Sequence, residues 1–173
     1  MKKALMVAGA LACLVLLVAI VGVFLPKGHS VSRTMRISKP PEAVWAVITD
    51  YAAMPSWRTG LAKIERLPDR GGRPVWKETL DDLELPLEDT LVDPPRKLVR
   101  RIADPDLPFG GTWTYELAAS PGGSTLTITE DGEIYNPLFR VVSRFTDPTG
   151  SIVVFLTALA NKLGERPDDF VIQ

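Results

Sequence analysis

The chain has 173 residues and a formal net charge of −1, from 20 basic and 21 acidic side chains. This length suits one domain with a short appendage. Because no basic block stands out, we expect no nucleic-acid partner, which would require a basic face. Cys13 is the only cysteine and His29 the only histidine. An intrachain disulfide and a zinc site built from Cys and His ligands are therefore excluded.

The sequence offers little for metal, cofactor or hydrolase chemistry. His29 lies beside the N-terminal apolar segment, so a Ser-His-Asp triad would have no base. The acidic residues lack calcium-loop spacing. The glycine pairs do not open a helix with the spacing of a phosphate-binding loop. We therefore predict neither a metal nor a cofactor.

The segment from Ala4 to Leu25 carries no charged side chain. As a helix it would rise about 33 Å, enough for a hydrocarbon core of about 30 Å. Lys2 and Lys3 also fit a cleavable signal peptide, but the exit near Pro26 lacks a small-residue cleavage site. We therefore predict an uncleaved, single-pass anchor in a bacterial cell membrane, with the following domain outside the cytoplasm.

The rest of the chain alternates short strands with turn signals. A strand over Val31–Ser38 precedes a short helix that begins at Pro41, and Met54-Pro55 ends or redirects that helix. We predict an anchor and juxtamembrane linker over residues 1–29, a folded domain over 30–166 and a tail over 167–173. Six further strands are predicted at Leu61–Leu67, Val75–Leu80, Leu83–Val92, Lys97–Ala103, Thr112–Ala118 and Ser124–Ile134.

Two helical segments close the domain. Asn136-Pro137 is a helix start, and the apolar face that follows carries Leu138, Val141, Val142 and Phe145. On the opposite face we expect Arg140 and Arg144 to be solvated, the alternative being a clamp for an anionic head group. After a break at residues 147–150, Ser151 is the predicted cap of a longer apolar helix, which Gly164 and Pro167 end.

Three stretches carry a resemblance to a known family. They are Ser38–Trp57, which reads SKPPEAVWAVITDYAAMPSW, Asp104–Glu116, and Thr127–Glu133. Together they resemble the START-like superfamily, also called SRPBCC, and particularly its polyketide cyclase/dehydrase-like branch. The resemblance implies an α+β helix-grip fold, in which a curved antiparallel seven-stranded sheet wraps around a long C-terminal helix, with two short helices after the first strand. It also implies a pocket for an apolar molecule between sheet and helix.

Strand alternation predicts which side chains face that pocket. The set is mostly apolar, and its charged members would be costly to bury unless paired. They either orient the polar end of a ligand, act as acid and base, or form a structural pair around Arg100. The predicted lining residues are Trp76, Glu78, Arg100, Trp113, Tyr115 and Glu130, with Trp57 at the rim.

Three functions remain open at this level. The favoured one is a membrane-anchored binding protein for a hydrophobic small molecule or lipid. The second is a cyclase- or dehydratase-like enzyme that uses Glu78, Tyr115 and Glu130 as acid and base. The third is a non-catalytic interaction module whose cup is filled by its own side chains. The volume of the cavity distinguishes the third from the first two.

Overall fold

A computed structural model of the chain describes residues 2–81, 83–166 and 170–171. The N-terminal helix α1, Lys2–Phe24, projects from the domain with most of its described side chains exposed. Over Met6–Phe24 it is long and apolar enough to cross a membrane, a property that secretory signal sequences share. The helix expected from Ala4 to Leu25 is therefore present.

The remaining elements form the predicted helix-grip fold. The elements are β1 (Gly28–Ile37), α2 (Pro41–Ile48), β2 (Leu61–Arg70), β3 (Arg73–Leu80), β4 (Leu83–Asp93), β5 (Lys97–Ile102), β6 (Phe109–Ser120), β7 (Gly123–Ile134), α3 (Pro137–Ser143), α4 (Gly150–Leu163) and β8 (Phe170–Val171). The seven long strands form an antiparallel sheet, extended by the two-residue strand β8, in the order β2-β3-β4-β5-β6-β7-β1-β8. A 3-10 turn at Met54–Ser56 follows α2.

The main core lies between the concave face of the sheet and α4. Alternate residues of β1 and β7, such as Met35 and Leu126, are buried against Ile152, Leu156 and Leu159 of α4. Full burial of one such side chain stabilises a fold by about 1.5–3 kcal/mol. The pattern of apolar residues at helical spacing in α4 thus determines where the helix meets the sheet.

A smaller core closes one end of the sheet. Tyr51 and Met54, which follow α2, are buried with Leu61 at the start of β2, and Trp76 packs against them. The short helical segments therefore cover the β2–β3 end of the sheet.

The C-terminal break is present, and two of its three caps, Asn136 and Gly164, are the predicted ones. Asn136 caps α3 by accepting a hydrogen bond from the Leu138 amide at 2.9 Å. The N-cap of α4 is Thr149 instead of Ser151. Gly164 ends α4 in the left-handed conformation, with φ 74°. Of the predicted tail, residues 170 and 171 pair with β1, whereas Pro167 lies outside the described residues.

The orientation of α3 is the reverse of the expected one. Arg140 is only 5% exposed, while Leu138, Val142 and Phe145 are exposed. The prediction of a solvated Arg140 was therefore wrong. The reason is that α3 packs on α1, where Arg140 Nη1 donates a hydrogen bond to the Gly22 carbonyl at 3.0 Å. The same guanidinium also donates to the Ile134 and Tyr135 carbonyls, at 2.7 and 2.8 Å.

Candidate functional site

Between sheet and α4 the space is nearly filled by side chains. The cavity that remains there, called the inner cavity below, measures only about 50 Å³. A water molecule needs about 10–15 Å³ by this measure, so the inner cavity has room for a few waters and not for a lipid. The expectation of a ligand-sized pocket between sheet and C-terminal helix was therefore wrong, because side chains fill that space. Its lining consists of Arg58, Glu78, Leu85, Leu87, Arg100, Trp113, Tyr115, Ile128, Ser151, Ile152 and Phe155.

A charged cluster occupies one side of the inner cavity. Arg100 is 2% exposed, and its guanidinium donates to Glu78 Oε1 at 2.5 Å and to Asp89 Oδ1 at 3.0 Å. The other oxygen of Glu78 accepts from Arg58 Nη1 at 2.5 Å. Two carboxylates thus balance two guanidinium groups. Arg100 has the structural pairing that the sequence left open, and its remaining atom Nη2 has no hydrogen-bond partner among the residues that the structure describes.

Burial and charge both act on the titratable groups of this cluster. Burial alone would raise the pKa of Glu78, but the adjacent charges of Arg100 and Arg58 hold it below its usual range. Burial raises the pKa of Tyr115. Burial also raises the pKa of Tyr51, whose hydroxyl donates to Asp89 at 3.0 Å. At neutral pH the cluster therefore holds a carboxylate at Glu78 and neutral phenols, so neither tyrosine can serve as a base.

A larger cleft, called the mouth cleft below, lies at the open end of the cup formed by the sheet and α4. It measures about 400 Å³ and lies between the start of β6, the end of β7 and α3. Its walls are mainly apolar, from Phe109 and Ile134 on the sheet side to Phe139 and Val142 on α3. Trp113 lines both this mouth cleft and the inner cavity. Trp113 is thus part of the wall of both spaces.

A polar cluster lies at the base of the mouth cleft. Glu130 Oε2 accepts hydrogen bonds from Trp113 Nε1 at 2.8 Å and from Ser151 Oγ at 2.6 Å. Its other oxygen lies 3.5 Å from His29 Nε2. The carboxylate therefore links β1, β6, β7 and α4 and leaves one imidazole at the cleft wall. This order of groups is not that of a hydrolase triad, because the serine bonds to the carboxylate and not to the histidine.

His29 is a site residue that sequence reasoning missed. Strand β1 begins at Gly28, three residues earlier than predicted, and this places His29 opposite Gly132 of β7. The ring lies directly over Gly132, where any side chain would collide with it. A glycine inside a strand often marks such a close approach, so Gly132 was the signal in the sequence.

The structure brings five of the seven predicted site residues together. Glu78, Arg100, Trp113 and Tyr115 line the inner cavity, and Glu130 lines the mouth cleft beside Trp113.

The other two predicted residues lie outside these spaces. Trp57 packs edge-on against Phe155, with ring centroids 5.7 Å apart. Trp76 packs on Tyr51 beside a separate cavity of about 240 Å³. Asp89 and Arg58 were also missed, because their roles depend on partners from distant strands.

The described residues include no group of three or more His, Cys, Asp or Glu side chains that could hold a metal ion. At the mouth cleft, Glu130 and His29 form a polar lining suited to hydrogen bonding. The site can hold an apolar body against α3 and a small polar group near Glu130 and His29.

Comparison with known proteins agrees with this geometry. The family model described as polyketide cyclase/dehydrase and lipid transport matches residues 28–162. No curated protein sequence matches the chain significantly.

Solved structures show the same fold. A Mesorhizobium loti protein is 23% identical, with a TM-score of 0.58 over 79% of this chain and 97% of its own. A START superfamily protein from Mycobacterium smegmatis is 15% identical, with a TM-score of 0.62 over 79% and 97%. Norcoclaurine synthase from Thalictrum flavum is 15% identical, with a TM-score of 0.63 over 85% and 92%. At these identities the likeness establishes the fold.

Proposed function

Because the chain belongs to the polyketide cyclase/dehydrase and lipid transport family, we propose that it binds a hydrophobic small molecule or lipid at a membrane to which α1 anchors it. The observation that carries this proposal is the apolar mouth cleft of about 400 Å³. Its size falls in the range of small-molecule sites, which are mostly apolar with a few polar groups. The inner cavity is too small for such a ligand.

The ligand is held with its apolar body between α3 and the ends of β6 and β7. Phe109 and Phe139 contribute the largest apolar surfaces, and Trp113 forms the inner end of the cleft. A hydroxyl, carbonyl or carboxylic acid of the ligand reaches Glu130 and His29. Glu78, Arg100 and Tyr115 support the wall behind Trp113 instead of contacting the ligand, because Arg100 already has two carboxylate partners.

The proposed anchor places the mouth cleft at the membrane. Strand β1 starts four residues after α1 ends, and α3, one wall of the cleft, packs on α1. A ligand dissolved in the bilayer is therefore close to the cleft. Lys2 and Lys3 favour a cytoplasmic N-terminus, which leaves the domain on the outer side of a bacterial cell membrane.

A cavity-filling variant tests the proposal. The full chain is extracted from the membranes of its host into lipid nanodiscs, and the bound small molecules are identified by mass spectrometry. Val142→Trp places an indole in the mouth cleft and should reduce bound ligand at least tenfold. Val154→Trp, a similarly exposed valine on α4 outside that cleft, should retain it. Equal ligand content in both variants, or no ligand in the wild-type chain, would refute the proposal.

One observation favours a second candidate, an enzyme of the cyclase or dehydratase type. His29 and Glu130 lie 3.5 Å apart and both line the cleft, so an imidazole and a carboxylate face the same space as a potential acid and base toward a ligand. The same mass-spectrometry experiment separates the two functions. A binding protein retains one compound or a lipid series, whereas a dehydratase retains pairs that differ by one water.

A further inference from the structure

Helix α3 has its charged side chain inside and its apolar side chains outside. Arg140 is buried against three backbone carbonyls, while Phe139 and Val142 are each 56% exposed. Phe145, two residues after the end of the helix, is 86% exposed. A helix on the surface of a water-soluble domain shows the opposite arrangement. This inversion points to a surrounding medium that is apolar.

Contacts with α1 determine the depth at which α3 lies relative to the proposed membrane span. Gly22 is buried against the backbone of Pro137, where no larger residue fits, and its carbonyl accepts from Arg140. Gly22 lies two residues before the end of α1, which is about 3 Å along the helix axis. Helix α3 therefore begins at the level of the last turn of the span, where hydrocarbon gives way to head groups.

Exposed apolar side chains are concentrated in this part of the molecule. Outside α1, ten large apolar side chains of the described residues are exposed, and seven of them lie between Tyr135 and Val154. Two exposed basic residues, Lys27 and Arg144, lie at the same end of the domain, on the wall of a neighbouring cavity. Apolar side chains bordered by basic ones match the boundary between acyl chains and anionic head groups.

We propose that α3 and the turn that follows it are embedded in the lipid leaflet, with Phe139 and Val142 of the helix and Phe145 of the turn among the acyl chains. This inference deepens the proposed function and rests on its membrane anchor. Phe139 and Val142 also line the mouth cleft, so the cleft opens sideways into the leaflet. The ligand class is then one that partitions into bilayers, and it exchanges with the membrane without crossing water.

Phe145 is the best position for a test because it lies outside the lining of the mouth cleft. In a Cys13→Ser background, Phe145→Cys carries an environment-sensitive fluorophore on the full chain, reconstituted in phosphatidylcholine–phosphatidylglycerol vesicles. The matched control is Ala118→Cys, an exposed position paired with Thr125, which in turn pairs with Arg36. Arg36 is eight residues from Gly28, which is about 26 Å along β1. The control position therefore lies far from the end of the domain that adjoins α1.

Lipids with nitroxide groups on their acyl chains should quench the Phe145→Cys label at least threefold more than the Ala118→Cys label, and aqueous iodide should show the reverse order. Iodide quenching of both labels would place α3 in water and refute the inference. Protection from both quenchers would mean that another protein surface covers α3, which also refutes it. The readout does not depend on a bound ligand. An empty mouth cleft would thus contradict the proposed function alone, and extraction of the chain by alkaline carbonate would contradict the anchor.

Discussion

At the scale of single residues, the Arg100 cluster explains why the cup is filled at its centre. Burying a guanidinium costs several kcal/mol unless carboxylates compensate it, and Glu78 and Asp89 both do so. The sequence predicted that Glu78 and Arg100 face inward, because strand alternation determines the face. It could not predict Asp89, since the register between β4 and β5 shifts immediately after that residue.

Replacing Glu78 by Gln should destabilise the domain by about 3–5 kcal/mol, because it leaves Arg58 and Arg100 short of one buried counter-charge. The control is Glu116→Gln, which removes a half-exposed partner of Lys97 and should cost at most about 1 kcal/mol. Urea unfolding at pH 7, followed by tryptophan fluorescence, measures both. Similar losses in the two variants would contradict the role given to the cluster.

The same variant makes the pH dependence testable. The pKa of Glu78 is lowered in the folded chain, so its stabilising effect is complete above the unfolded value of about 4.3 and is lost as the pH falls through the folded value. Wild-type stability should therefore fall more steeply below pH about 4 than that of Glu78→Gln. Parallel pH curves for the two proteins would show that Glu78 is not held ionised by the fold.

At the scale of elements, the contact between α1 and α3 is the feature that sequence patterns could not reveal. Periodicity correctly located an apolar face on α3 and a break before α4. Periodicity could not predict whether that face contacts protein, water or lipid, because the surroundings of α3 depend on the position of α1. The buried Arg140 resolves the orientation, since a guanidinium capping the last carbonyls of a helix is favourable at its negative end.

Arg140→Met should therefore release α3 from α1. It removes three hydrogen bonds to backbone carbonyls, so hydrogen exchange in residues 138–143 should accelerate at least tenfold. Arg144→Met changes an exposed side chain of the same segment and should leave exchange unaltered. Unchanged exchange in Arg140→Met would mean that apolar contacts alone hold α3.

At the scale of the whole molecule, the sequence predicted the fold, the apolar N-terminal helix and the inward orientation of Glu78 and Arg100, because these follow from periodicity and turn chemistry. It did not predict that the mouth cleft, at about 400 Å³, is much larger than the inner cavity of about 50 Å³. That result depends on volumes: Trp113, Tyr115 and Phe155 fill the centre, whereas the broken C-terminal helix leaves the cleft beside α3. His29 reaches the site only because β1 extends to Gly28.

The central claim is that ligand occupies the mouth cleft, and photocrosslinking tests it most directly. The full chain in vesicles is irradiated with a long-chain fatty acid that carries a diazirine, and modified residues are identified by peptide mass spectrometry. We expect saturable adducts on the sheet side of the cleft, at Pro108, Phe109 and Trp113, and their loss in Val142→Trp. Adducts around Tyr51 and Trp76, or labelling that never saturates on the sheet side, would contradict the account.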